Sequence, residues 1–150
     1  MKKSIITLLT LALCFTLWAE QETITFPMGT NSIATLTLDT RKGTNTPLPI
    51  VGLNMVRMDL TAPGGVANTN GNFVVYFETA RSRTGPYTLW SDSNIKLQST
   101  LTGIATNAAS DKFDLTGIQW MRVGAVSNSG AGTLTNFSVQ ITYPQPSSHQ

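Results

Sequence analysis

The chain has 150 residues, with ten Lys and Arg against eight Asp and Glu, one His, one Cys, and 12% charged residues in all. Its excess positive charge is Lys2 and Lys3, so the rest of the chain is formally neutral, which argues against a nucleic-acid or anionic-lipid surface. A neutral chain with 41% hydrophobic residues has too much apolar content for intrinsic disorder.

Residues 1–19, MKKSIITLLTLALCFTLWA, read as a secretory signal peptide. Lys2 and Lys3 form a basic start, Ile5 to Trp18 an apolar stretch, and Ala19 the small residue where cleavage would fall. Leu17 departs mildly from the A-x-A pattern. Two alternatives stay open. Leu11-Ala12-Leu13-Cys14 faintly resembles a lipoprotein processing box, with the bulky Leu13 against it, and the leader could remain as an uncleaved anchor. Cys14, the chain's one cysteine, lies in this segment, so the expected mature domain carries no disulfide. No apolar run after residue 19 approaches the roughly 20 residues that span a bilayer. The expected location is extracytoplasmic: secreted, periplasmic or on a bacterial cell surface. Residues 20–143 are expected to form one domain, and 144–150 a flexible tail.

The mature chain reads as strands almost throughout. Glu22–Phe26 and Ser32–Thr40 alternate, and Arg41–Pro49 is a loop with Gly43, Pro47 and Pro49. In Ile50–Leu60 the apolar phase changes, from Val51, Leu53 and Met55 to Val56, Met58 and Leu60. A β-bulge within one strand would do this, as would burial of both faces in turn. Residues 61–71 are a long polar loop.

Asn72–Thr79, with Phe73, Val75 and Phe77 opposite Val74 and Tyr76, reads as a strand near the centre of a sheet. Ala80–Pro86 is a turn and Tyr87–Ser91 a further strand. Ile95–Thr102 alternates, residues 103–110 form a loop, and Phe113 and Leu115 mark a short strand. Ile118–Val126 is longer, Ser127–Gly132 is a turn, and Thr133–Tyr143 alternates strictly. About nine short strands and no sustained helical period give an all-β fold. The expected architecture is an antiparallel β-sandwich, with a jelly roll as one way to wire it.

The inventory of reactive groups is thin. His149 lies in the tail, and no Cys follows residue 19, so Ser-His-Asp and Cys-His arrangements lack a base or nucleophile, and a zinc or copper site lacks ligands. Gly64-Gly65 is no phosphate loop. Asp39, Asp59, Glu78, Asp92, Asp111 and Asp114 are the carboxylates available for acid–base work. For Asp59 and Glu78 an arginine partner such as Arg57 or Arg122 is the simpler role, and for Asp92 and Asp111 a turn cap at a strand end. Asp92, Asp111 and Asp114 are weak calcium candidates. The chain is expected to be no enzyme and to use no cofactor.

The segment Glu78–Trp90, ETARSRTGPYTLW, is the most distinctive. Arg81, Arg83, Tyr87 and Trp90 are the candidate ligand-binding residues, since arginines beside exposed aromatics suit a sugar ring or an anion. The competing reading, and the simpler one, places Tyr87 or Trp90 in the core and leaves the arginines solvated. Asn136-Phe137-Ser138 matches a glycosylation acceptor but falls mid-strand behind a bacterial-looking leader.

Phe73–Trp90 together with Phe113–Val126 (FDLTGIQWMRVGAV) resembles the discoidin-like, galactose-binding-type β-sandwiches, which carry a strand of the form of Trp120-Met121-Arg122-Val123. The resemblance covers about a third of the chain. It lacks the Asp-Gly turn before the aromatic strand and the bracketing cysteines of many members. It implies a non-catalytic module whose loops bind glycans or another surface. Two expectations follow. One is an exported structural or assembly protein of the cell surface, a filament or a matrix, with itself as partner. The other is a carbohydrate-binding or adhesin module with a surface glycan as partner. A phage virion component is a third, disfavoured by the leader.

Overall fold

In the computed structural model, residues 21–27, 32–34, 37–40, 46–63, 69–102 and 106–144 are described. The expected signal peptide with Cys14, and His149, lie outside them. Among the described residues no helix is long and apolar enough to cross a membrane.

The described residues form eleven strands: β1 (Gln21–Thr25), β2 (Ser32–Ile33), β3 (Thr37–Thr40), β4 (Leu48–Pro49), β5 (Met55–Pro63), β6 (Thr69–Ala80), β7 (Lys96–Thr102), β8 (Thr106–Asp114), β9 (Trp120–Asn128), β10 (Leu134–Thr135) and β11 (Ser138–Pro144). Sheet one has the order β1-β11-β5-β8. Sheet two has the order β3-β9-β6-β7, with β4 on the far end of β9 from β3. β2 and β10 make a small ladder of their own.

All the ladders are antiparallel. Taking β3 and β4 as one interrupted strand and leaving β2 and β10 aside, first pairs with last, second with seventh, third with sixth and fourth with fifth. That nesting is a long hairpin rolled into two facing sheets, which is a jelly roll. The chain is an all-β sandwich.

Alternation explains which residues face inward. Val56, Met58, Leu60 and Ala62 of β5 are buried, as are Val139 and Ile141 of β11. From sheet two come Phe73, Val75, Phe77, Leu97, Leu101, Met121, Val123 and Val126. Phe26 meets Phe77 edge-on at 5.2 Å, and Phe73 meets Phe137 at 4.8 Å between ring centroids. Burying such side chains stabilises by about 1.5–3 kcal/mol each.

Several sequence expectations are corrected. The phase change in Ile50–Leu60 is no bulge: Val51-Gly52 is a turn with Gly52 at φ 82°, and β5 begins only at Met55 and pairs without a register break. The bulge of the central pair lies on β9, where the register with β6 passes from Tyr76↔Ala125 to Phe77↔Val123 and leaves Gly124 as the extra residue. β8 begins at Thr106, inside the expected 103–110 loop, and pairs with β5 over nine positions. Its Asn-Ala-Ala-Ser-Asp run has turn-like composition, but the neighbouring strand imposes extension. Residues 134–143 are two strands, because Asn136 at φ 56° ends β10 before β11 starts. Leu38 is 50% exposed, since its register with Ser127 and, through it, Val74 places it on the outer face of sheet two. Pro144 is the last residue of β11, and the rest of the expected 144–150 tail lies outside the described residues.

Candidate functional site

The outer face of sheet two carries the segment singled out by sequence. Glu78 on β6 and Arg122 on β9 are directly opposite in register. Both point outward, because Phe77 and Val123 before and after them point into the core. Arg122 donates from Nε to Glu78 Oε2 at 2.8 Å, and its second guanidinium nitrogen approaches the same oxygen at 2.7 Å. The Glu78 side chain is 1% exposed although it lies on an outer face.

Residues 81–92 cover it. After the turn at 81–85, which has a cis Gly85-Pro86 bond, the backbone runs back over the sheet. Thr88 N–H donates to Thr79 O at 2.9 Å. Residues 87–89 form no ladder, and Trp90–Asp92 is a short 3-10 turn, so the expected strand Tyr87–Ser91 is replaced by a strap. Trp90 N–H donates to the other carboxylate oxygen of Glu78 at 3.3 Å. The Trp90 ring lies 4.9 Å from that of Tyr76. The Tyr87 ring stacks on the Arg122 guanidinium at 3.9 Å, and its hydroxyl donates to Arg83 O at 2.9 Å.

Gly124, the bulge residue, makes room for this arrangement. A Cβ there would stand 2.5 Å from Glu78 Cγ and 2.7 Å from Trp90 Cβ. Burial pushes the Tyr87 phenol above its ordinary value, while Arg122 and then Arg83 pull it down.

Neither Tyr87 nor Trp90 fills the sandwich core; both are half-buried on the outside of the sheet. Arg81 and Arg83 are exposed. The four residues singled out by sequence therefore divide into two aromatics that hold the strap and two arginines that face solvent. The arginine partners expected for the carboxylates are the observed ones. Arg122 takes Glu78, and Arg57 takes Asp59 at 2.8 Å. Sequence reading missed Tyr76 and Gly124. The isolated Gly within the strand pattern MRVGAV was the available signal.

The calcium candidates have local partners. Asp92 accepts from Ser91 Oγ at 3.2 Å, Asp111 from the Lys112 N–H at 2.8 Å, and Asp114 from the Thr116 N–H at 2.9 Å. Asp111 sits within β8, not at a strand end. Hydrogen bonds from Thr116, side chain first and backbone second, hold the Asp114 carboxyl below its ordinary value. Among the described residues no three His, Cys, Asp or Glu side chains gather as metal ligands would.

The outer face of sheet one bears an open depression of about 630 Å³, with Thr23, Thr142, Arg57 and Lys112 in one register row and Met55 and Asp59 beside it. Arg57 is 58% exposed there.

These ladders define a jelly-roll β-sandwich protein with a strapped ion pair on one sheet. No family model matches the sequence, and no curated protein matches it. Among solved structures, the PRD1 vertex protein P5 is similar at 13% identity and a TM-score of 0.44, over 84% of this chain and 96% of that one. A structure described as "Bacillus endospore appendages form a novel family of disulfide-linked pili" is similar at 12% identity and a TM-score of 0.37, over 85% and 88%. CBM35 from Cellvibrio japonicus Abf62 follows at 12% identity and 0.34, over 83% and 99%. The fold assignment rests on this chain's own strand pairing.

Proposed function

We propose that this chain is an exported, non-catalytic jelly-roll subunit that works by assembly, as a building block of a surface structure, filament or matrix. The observation that carries the reading is the use to which its polar chemistry is put. Glu78 and Arg122 pin the 81–92 strap, Arg57 takes Asp59, and Asp114 closes a turn with Thr116. Groups suited to acid–base work serve the fold instead. The basic, apolar leader at 1–19 supports export. A sandwich of two open sheets also has edge strands, and these are natural sites of self-association.

The test is to recover the native protein from cell fractions, determine its N-terminus, and measure its mass by light scattering and its form by electron microscopy. Assemblies larger than one chain outside the cytoplasm are expected. A cytoplasmic monomer that begins at Met1 would overturn the proposal.

A second reading, glycan binding, is favoured by the depression on sheet one. Arg57 and Asp59 present donors and acceptors side by side, as hydroxyl pairs require, and Met55 offers an apolar contact at 55% exposure. The exposed Arg81 and Arg83 are its other candidates. A polysaccharide pull-down with Arg57→Ala and with Arg81→Ala/Arg83→Ala separates the two places. Retention of no polysaccharide by the unmodified protein would end this reading.

A further inference from the structure

We propose that β1 is the edge at which a second copy of this chain adds, the two β1 strands running antiparallel across a twofold axis at Thr23. This deepens the assembly reading and rests on it.

Backbone geometry argues for the edge. Phe26 N–H donates to Val139 O at 2.8 Å. The same ladder registers Ile24 with Ile141 and Glu22 with Tyr143. Antiparallel pairing turns alternate residues toward the partner strand. The backbone groups of Glu22, Ile24 and Phe26 thus face β11, and those of Gln21, Thr23 and Thr25 face away from the sheet. Among the described residues no strand pairs with that outer side.

The three outward residues are symmetric about Thr23. A second β1 in antiparallel register sets Thr23 against Thr23 and Gln21 against Thr25, with matched donors and acceptors at each position. It also sets each Glu22 opposite an Ile24 instead of another Glu22, so like charges are kept from facing one another. Thr23 and Thr25 side chains are exposed, and Thr23 Oγ1 lies 3.2 Å from Thr142 Oγ1, which continues the hydroxyl row across the axis. The pairing joins two four-stranded sheets into one and is isologous, so it closes as a dimer.

The other edges carry guards that β1 lacks. β8 presents Asp111, Lys112 and Asp114. β7 is tied across to β8: Thr102 N–H donates to Asn107 Oδ1 at 3.1 Å, and Ser99 Oγ to Ala108 O at 3.4 Å. The edge made by β3 and β4 is broken into strands of four and two residues, and β4 ends on Pro49. β1 has no Pro, no Lys and no bulge, and its one charged residue, Glu22, has its backbone turned toward β11.

The experiment uses the full chain with Cys14→Ser throughout, so that an introduced cysteine is the lone thiol. Opposed residues of such a hydrogen-bonded pair lie about 5.5 Å apart between Cα atoms, within disulfide reach. Thr23→Cys should oxidise to a linked dimer. A mixture of Gln21→Cys and Thr25→Cys chains should link to each other in preference to themselves. Thr23→Lys, which sets two ammonium groups face to face, should lower the mass seen by light scattering about twofold with unchanged circular dichroism. Thr25→Lys repeats the test should Thr23→Lys disturb folding. If Thr23→Cys stays unlinked, or both Lys variants keep the unmodified mass, the β1 edge is wrong. An unmodified protein that is still oligomeric in that case leaves the assembly reading standing; one that is monomeric at every concentration overturns both.

Discussion

Glu78 and Arg122 face each other across β6 and β9, and one carboxylate oxygen receives both Arg122 contacts while the other receives the Trp90 N–H. Removing one partner leaves a covered charge without its counter-ion. Arg122→Met is expected to cost about 3 kcal/mol, and Glu78→Gln somewhat less, because Gln keeps an acceptor. The double variant Glu78→Gln/Arg122→Met should lose less than the sum of the singles. Urea unfolding of the four proteins checks this, and strictly additive losses would contradict it.

Gly124 is the bulge that lets the strap approach the sheet. Gly124→Ala sets a methyl group against Glu78 Cγ and Trp90 Cβ, both close to the backbone and unable to swing aside. A loss of about 1–3 kcal/mol is expected, with a change in tryptophan fluorescence as Trp90 lifts from Tyr76. An unchanged spectrum and midpoint would mean the strap is not seated as described.

Tyr87 closes the turn through Arg83 O and stacks on Arg122. Tyr87→Phe keeps the ring and loses the hydroxyl, for an expected cost of about 0.5–1.5 kcal/mol. Its raised pKa has a definite sign in stability. The folded chain resists ionisation, so its contribution is complete below the ordinary value of 10.0 and is lost as pH rises through the folded value. Tyr143 is raised as well, by burial and then by its hydrogen bond with Glu22. Ultraviolet titration of the phenols should therefore show ionisation running later than for free tyrosine, and Tyr87→Phe should remove part of that delay.

Asp114 acts at the other end of the pH range. Its carboxyl is held below the ordinary value of 3.8 by Thr116, so its contribution is present above that value and is lost as pH falls through the folded one. Asp114→Ala should lower stability slightly at neutral pH and leave it unchanged once the carboxyl is protonated, which flattens the acid limb of the stability curve. An acid limb identical to the parent's would rule the group out.

Trp90→Ala looks from sequence like the natural probe of glycan binding. The structure recasts it. Trp90 packs on Tyr76 beside the Glu78 carboxylate, so truncation is expected to cost about 2–4 kcal/mol and loosen the strap. Arg81→Ala and Arg83→Ala remove exposed side chains and should leave the unfolding midpoint near that of the parent. A loss of polysaccharide retention in these variants would therefore report on binding and not on folding.

Much of this protein was legible in its residues. Alternation in β5, β6 and β11 marked the sandwich, because a strand with one buried face must alternate. The partners of Asp59 and Glu78 were also readable, since a carboxylate among apolar strand residues calls for a nearby arginine. Tertiary structure decided the rest. The Asn-Ala-Ala-Ser-Asp run is a strand because β5 lies beside it. Tyr87 and Trp90 lie outside the core because the strap crosses back over Glu78. The phase change before Val56 is a turn, and the bulge is at Gly124, because register depends on which strand is opposite. Local sequence sets the period of each strand, whereas neighbours and faces are set by long-range pairing that no single segment encodes.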